Sequence, residues 1–128
     1  MYDNVILSRF QNLQNAGIIT NADAVGQVGS VTSGDMIKIY LRITNNVITE
    51  AKFKTLGGVY TLVASDVLCD LLRSCSLIDA LSINSHDIVK ALNGLPENKL
   101  YIADLIQSVI ADAIEDYQKK IAKLNVKK

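Results

Sequence analysis

Residue types that ordinarily carry chemistry are sparse in this 128-residue chain. His86 is its only histidine, and it stands between Ser85 and Asp87. Adjacent side chains point apart, so these three form no nucleophile–base relay; following Asn84, they read as the polar first turn of a helix. The two cysteines, Cys69 and Cys75, would lie about 120° apart around a shared helix axis, too far round to hold one metal ion. Neither has a histidine or cysteine neighbour at a zinc-type spacing, so both read as free thiols in a reducing compartment. Asp112, Glu115 and Asp116 cluster without a histidine or a second carboxylate group, as on a solvated helix face. Gly57-Gly58 lacks the Gly-Lys-Ser/Thr ending of a phosphate loop, and Val25-Gly26-Gln27-Val28-Gly29 misses the dinucleotide pattern. These residues supply no activated nucleophile and no metal cage, and the chain is not expected to be an enzyme.

The composition sets the frame around them. Apolar types make up 49% and charged types 20%, ordinary values for a soluble globular domain. The length suits one domain over residues 1–128, with 125–128 expected to fray. Thirteen basic and thirteen acidic residues cancel, which argues against a nucleic-acid partner, whose binding needs excess Lys and Arg. No apolar run approaches the ~20 residues that span a bilayer. Met1-Tyr2-Asp3-Asn4 lacks the basic flank and apolar stretch of a secretion signal. A cytoplasmic protein without a membrane partner is expected.

Periodicity predicts the elements. Val5, Ile6, Leu7, Phe10 and Leu13 mark an amphipathic helix over Tyr2–Leu13, closed by Asn15-Ala16-Gly17. Ile37, Ile39, Leu41 and Ile43 alternate with Lys38, Tyr40 and Arg42, the two-residue period of a half-wet strand. Thr44-Asn45-Asn46 turns the chain into a second strand, with Ala51, Phe53 and Thr55 on one face, and Val25–Val31 adds an irregular third. Tyr60, Ala64, Val67 and Leu71 stripe a helix from near Val59 to Ser74, with Cys69 inside it and Cys75 at its end. A short helix over Ser76–Leu81 follows, then one capped by Asn84 or Ser85 and ending near Asn93-Gly94. After Pro96 a long last helix carries Ile102, Ile106, Val109, Ala113 and Tyr117. The fold class is α+β: a small three-stranded antiparallel sheet covered on one face by helices, with an N-terminal helix and a long C-terminal helix.

Four segments in order then resemble the IscU/NifU-type iron–sulfur cluster scaffold family. Gln11–Gly17 is similar to its Glu-Asn-Pro-Arg-Asn-Val-Gly segment, and Val28–Asp35 to its loop ending Cys-Gly-Asp. Ala51–Gly58 resembles its Ala-Arg-Phe-Lys-Thr-Tyr-Gly-Cys strand, and Leu95-Pro96-Glu97-Asn98-Lys99 falls where it carries Leu-Pro-Pro-Val-Lys. The resemblance implies a cluster held by three cysteines, one in each of three loops, helped by an aspartate and a histidine. It also implies that family members can hold zinc there. In this chain the cysteine places are taken by Ser33, Gly58 and Ile102 and the histidine place by Tyr101; Asp35 alone is kept as a possible metal ligand. Iron in such clusters wants thiolate sulfur, so neither cofactor is expected here.

The reading that follows is a non-catalytic scaffold-family homologue with a degenerate metal site, acting through partners. The resemblance names a cysteine desulfurase and an Hsp70-type chaperone, met through Tyr2, the loops at Ser33 and Gly58, and Leu95, Pro96 and Lys99. Two alternatives stay open. One is an iron–sulfur or iron carrier with altered ligands, using Asp35 plus donors from a partner or a second subunit; a paralogue is a further partner open to the chain. The other is an interaction module without iron–sulfur chemistry, in which Val59 and Ile102, expected to be exposed, form a homo-oligomer patch.

Overall fold

The alternating middle of the chain becomes three antiparallel strands in the order β1 (Ala24–Ser30), β2 (Asp35–Thr44), β3 (Val47–Leu56). The computed structural model describes residues 2–30 and 32–127. Between β2 and β3, Asn45 and Asn46 take φ of 53° and 63°, the left-handed pair that a two-residue hairpin turn requires. Ile37, Ile39 and Leu41 pair with Thr55, Phe53 and Ala51. This register puts their side chains on one buried face, against Lys38, Tyr40 and Arg42 on the other. Thr49 is an extra residue between the Arg42–Glu50 and Ile43–Ile48 pairs, and so makes a bulge.

Among the described residues there are five α-helices: α1 (Asn4–Gln11), α2 (Val59–Leu72), α3 (Leu77–Leu81), α4 (Ser85–Ala91) and α5 (Tyr101–Lys127). α2 lies on β3, and α5 on β1 and β2, while α1 and α4 pack against these two helices. That position makes α2 central. It is buried on nearly every side, from Thr61 to Leu72, where the sequence predicted a single stripe. α2 also ends earlier than expected, at Leu72, and Ser74 turns at φ 76°. Cys75 therefore lies beyond the helix, with its neighbours Ser74 and Ser76 running against the start of β3. α4 begins as the sequence indicates: Asn84 and Asp87 form a reciprocal capping box, and His86 is exposed beside it.

The first helix is shorter than its apolar pattern suggests. It stops at Gln11, and Gly17 does not close it. The Asn15–Gly17 segment instead bonds to β3, with Phe53 N–H donating to Asn15 O at 2.9 Å and Gly17 N–H to Phe53 O at 2.8 Å. A fully buried carboxylate, Asp66 of α2, holds this segment down. Its Oδ1 accepts the backbone N–H groups of Gln14 and Asn15 at 2.9 and 2.8 Å, and its Oδ2 accepts Arg9 at 2.8 Å. A buried charge is tolerated because every oxygen has a donor. Burial raises the neighbouring Asp70 carboxyl, but hydrogen bonds from Arg9 and Asn15 and the charges of Arg9 and Arg73 outweigh it and hold it below the usual range.

α5 does more than cover the sheet. Asp112 and Asp116 face the free edge of β1, accepting Gln27 N–H at 2.8 Å and Val25 N–H at 2.9 Å. The cluster predicted as a merely solvated face therefore satisfies donors that an edge strand would otherwise offer to another chain. The helix spans Tyr101–Lys127, and Lys128 lies outside the described residues. Among the described residues no helix is long and apolar enough to cross a membrane.

Gly26 fixes how closely α5 meets β1. A Cβ there would stand 2.6 Å from Val109 O and 2.8 Å from Ala113 N, both backbone atoms. Gly26→Ala is expected to lower unfolding free energy by about 1–3 kcal/mol, the usual cost of overpacking, as measured by urea denaturation.

Candidate functional site

Three loop-to-element junctions meet at one end of the sheet. β2 opens there with Asp35, α2 opens after Gly57-Gly58, and α5 opens with Tyr101 after Pro96 and a short turn at Glu97–Lys99. A cavity of about 270 Å³ lies between them, lined by Tyr2, Asp35, Gly58, Tyr60, Lys99 and Tyr101 among others. Of the positions singled out by the sequence, Tyr2, Asp35, Gly58, Lys99, Tyr101 and Ile102 line this cavity, whereas Ser33, Leu95 and Pro96 are not among its lining residues.

Asp35 is the centre of this arrangement. Its Oδ1 accepts the Thr61 hydroxyl at 2.7 Å and its Oδ2 accepts the Tyr101 hydroxyl at 2.7 Å. Each carboxylate oxygen is therefore already engaged by a neutral donor from a different helix. Gly57 is needed beside them: a Cβ would come within 2.8 Å of both Asp35 Oδ1 and Thr61 Cβ. Thr61, buried in the first turn of α2, is the member that the sequence did not disclose. Its only signal is its place one helical turn after Gly58.

The other positions singled out by the sequence carry a neutral hydroxyl, no side chain and a hydrocarbon. Ser33 belongs to a turn, its Oγ donating to Ser30 O at 2.9 Å, with Asp35 O 3.2 Å away. Gly58 has no side chain, and a Cβ built there would meet nothing within 4 Å. Ile102 is 1% exposed and packs in the core, which overturns its expected role in an exposed patch; Val59 is half-buried. Consecutive residues of α5 diverge by about 100°, so Tyr101 reaches out to Asp35 while Ile102 turns inward.

The cysteines stand apart from this cluster. Burial pushes the Cys69 thiol up, and nearby Asp66 adds to the effect; burial also raises Cys75, whose Sγ donates to Leu71 O at 3.0 Å. Both shifts disfavour thiolate, the form a metal would need. Among the described residues no three His, Cys, Asp or Glu side chains group as metal ligands. At the rim, Tyr2 is half open to solvent and meets Tyr60 edge-on, with ring centroids 5.3 Å apart. Pro96 is exposed, while Leu95 and Lys99 are half-buried.

A helix-covered three-stranded sheet with three loop arms closing on one aspartate defines an α+β domain with a single carboxylate-centred junction. The NifU-like N terminal domain family model matches residues 1–124, and the chain belongs to that family. It is 33% identical over 125 residues to the iron-sulfur cluster assembly scaffold protein IscU 1 of Archaeoglobus fulgidus, covering 98% of this chain and 82% of that protein. It is 34% identical over 122 residues to iron sulfur cluster assembly protein 1 of Trachipleistophora hominis, covering 93% and 88%. Among solved structures, the putative scaffold protein for the SUF system from Fervidobacterium islandicum superposes with a TM-score of 0.74 at 16% identity, over 88% of this chain and 96% of that one. The N-terminal NifU-like protein from Brucella abortus gives 0.70 at 21%, over 93% and 95%. These two likenesses establish the fold.

The hydrogen bond to Asp35 raises the Tyr101 hydroxyl above the ordinary tyrosine range, with burial and the carboxylate charge adding to it. A group raised on folding contributes stability that is complete below its unfolded value, about pH 10, and is lost as pH rises through the folded one. Absorbance titration at alkaline pH is expected to show a tyrosine ionising late in the wild type and at the ordinary position in Asp35→Asn.

Proposed function

We propose that this chain is an iron–sulfur scaffold-family protein that holds no cluster itself and acts without catalysis by occupying a partner of the assembly pathway. The observation that carries this reading is the engagement of both Asp35 oxygens by Thr61 and Tyr101. Iron in a cluster takes thiolate ligands, usually four, and the donor set here does not fit that demand. Ser33 is a neutral hydroxyl spent on a backbone carbonyl, Gly58 offers no donor, and Ile102 is a core hydrocarbon. Zinc, which favours thiolate and imidazole, finds no better set. The cluster is cargo in this family, and this chain lacks the grip for it.

What remains suited to function is the outer face around the cavity. Tyr2 lines the cavity and is partly open to solvent, and α1 behind it leaves Val5, Leu7 and Phe10 partly exposed as well. Exposed large apolar side chains at the rim of a site suit a contact surface. The family's cysteine desulfurase is the partner this face suits, because the resemblance places it on the N-terminal helix and the three loops. The chaperone segment supports its partner less well. Glu97 and Asn98 replace an apolar pair, and Lys99 lines the cavity.

Two measurements test the reading together. Under anaerobic conditions with iron and sulfide, the purified chain is expected to stay colourless, without thiolate-to-iron charge-transfer absorption. Added in excess to a cysteine desulfurase and a cysteine-bearing scaffold, it is expected to slow cluster formation on that scaffold, and Tyr2→Asp is expected to relieve the effect. A brown product, or cluster formation indifferent to excess chain, would contradict the proposal.

A further inference from the structure

The three arms of the site enter through turns that, among the described residues, are each held by short-range hydrogen bonds only. Asp35 follows a turn in which Gly34 takes φ 87°, Thr61 follows Gly57-Gly58, and Tyr101 follows Pro96 and a single turn of tight helix. The N-cap position of α2 is Gly58, which supplies no side-chain bond. Yet the arms converge on one carboxylate, across separations of 26 and 66 residues. In a site built for a metal, the ion itself would tie such arms together. Here the protein supplies its own tie.

We propose that Asp35, Thr61 and Tyr101 form a metal-independent clasp that locks β2, α2 and α5 into one arrangement and so presets the face the chain offers. Carboxylate–hydroxyl bonds at 2.7 Å are charge-assisted and among the stronger hydrogen bonds in proteins. Thr61 is buried and also anchors Ser65, whose Oγ donates to Thr61 O at 2.8 Å and lies 3.0 Å from Thr55 Oγ1. The clasp thus continues inward as a polar ladder from α2 to β3. Tyr101 is its outer member, half exposed and the one most readily released. Its release would free the start of α5 and the Asp35 turn together, whereas loss of Asp35 would free all three arms. The clasp needs no partner, so its test is separate from that of partner binding.

The test is a double-mutant cycle on the full chain with Tyr101→Phe and Asp35→Ala, read by thermal melting. Tyr101→Phe removes one exposed hydroxyl and leaves the ring, so the variant is expected to fold. It should lower Tm by about 5 °C in the wild-type background and by much less in the Asp35→Ala background. Amide hydrogen exchange in Tyr101→Phe should accelerate at residues 33–35 and 99–102 while the β2–β3 hairpin keeps its protection. Wild-type Tm and exchange should be the same before and after treatment with EDTA. An equal loss in both backgrounds, unchanged exchange at those residues, or a lower Tm after chelation would overturn the clasp.

Discussion

One carboxylate at the meeting point of three chain segments organises the end of this molecule. Asp35 stands at the first residue of β2, and its two oxygens are taken by hydroxyls from the first turns of α2 and α5. Each oxygen keeps a further lone pair, but among the described residues no second and third His, Cys, Asp or Glu joins Asp35 to hold a cation with it. The other features of the site conform to that constraint. Gly57 is small because Asp35 and Thr61 crowd it, and Tyr101 reaches outward because Ile102 must fill the core beneath.

The remainder of the fold holds this junction in register by satisfying polar groups. Asp66 anchors the N-terminal segment to α2 from inside, and Asp112 and Asp116 bind the outer edge of β1 to α5. α2 and α5 contribute to both the core and the site, so anything that displaces either helix also moves Thr61 or Tyr101. The resulting domain keeps the architecture of the NifU-like N terminal domain family to which it belongs.

Much of the fold was legible in the sequence because it depends on local periodicity. The alternation of Ile37, Ile39 and Leu41 against Lys38 and Arg42 gives the strand and its buried face. Asn45-Asn46 gives the turn, and Asn84 with Asp87 the capping box. Side-chain partnerships between distant segments were not legible. Nothing local to Thr61 points across to Asp35, and nothing local to Asp112 or Asp116 shows that they face the edge of β1 rather than water. The expected exposure of Ile102 conflicted with its place in the apolar series Ile102, Ile106, Val109, Ala113, and the helical period prevailed. The candidate site was located through its resemblance to a family, since composition and spacing alone mark no position there as special.

The central claim is that Asp35 is tied to its own neighbours and, among the described residues, has no partner ligands to hold a metal with it. Crystals grown with excess ferrous iron or zinc, and measured by anomalous diffraction at each metal's absorption edge, test it most directly. The expected map has no anomalous peak within coordination distance of Asp35, and both hydroxyl bonds are intact. A peak bridging Asp35 to the Ser33 or Gly58 loop, with Tyr101 turned away, would contradict the account.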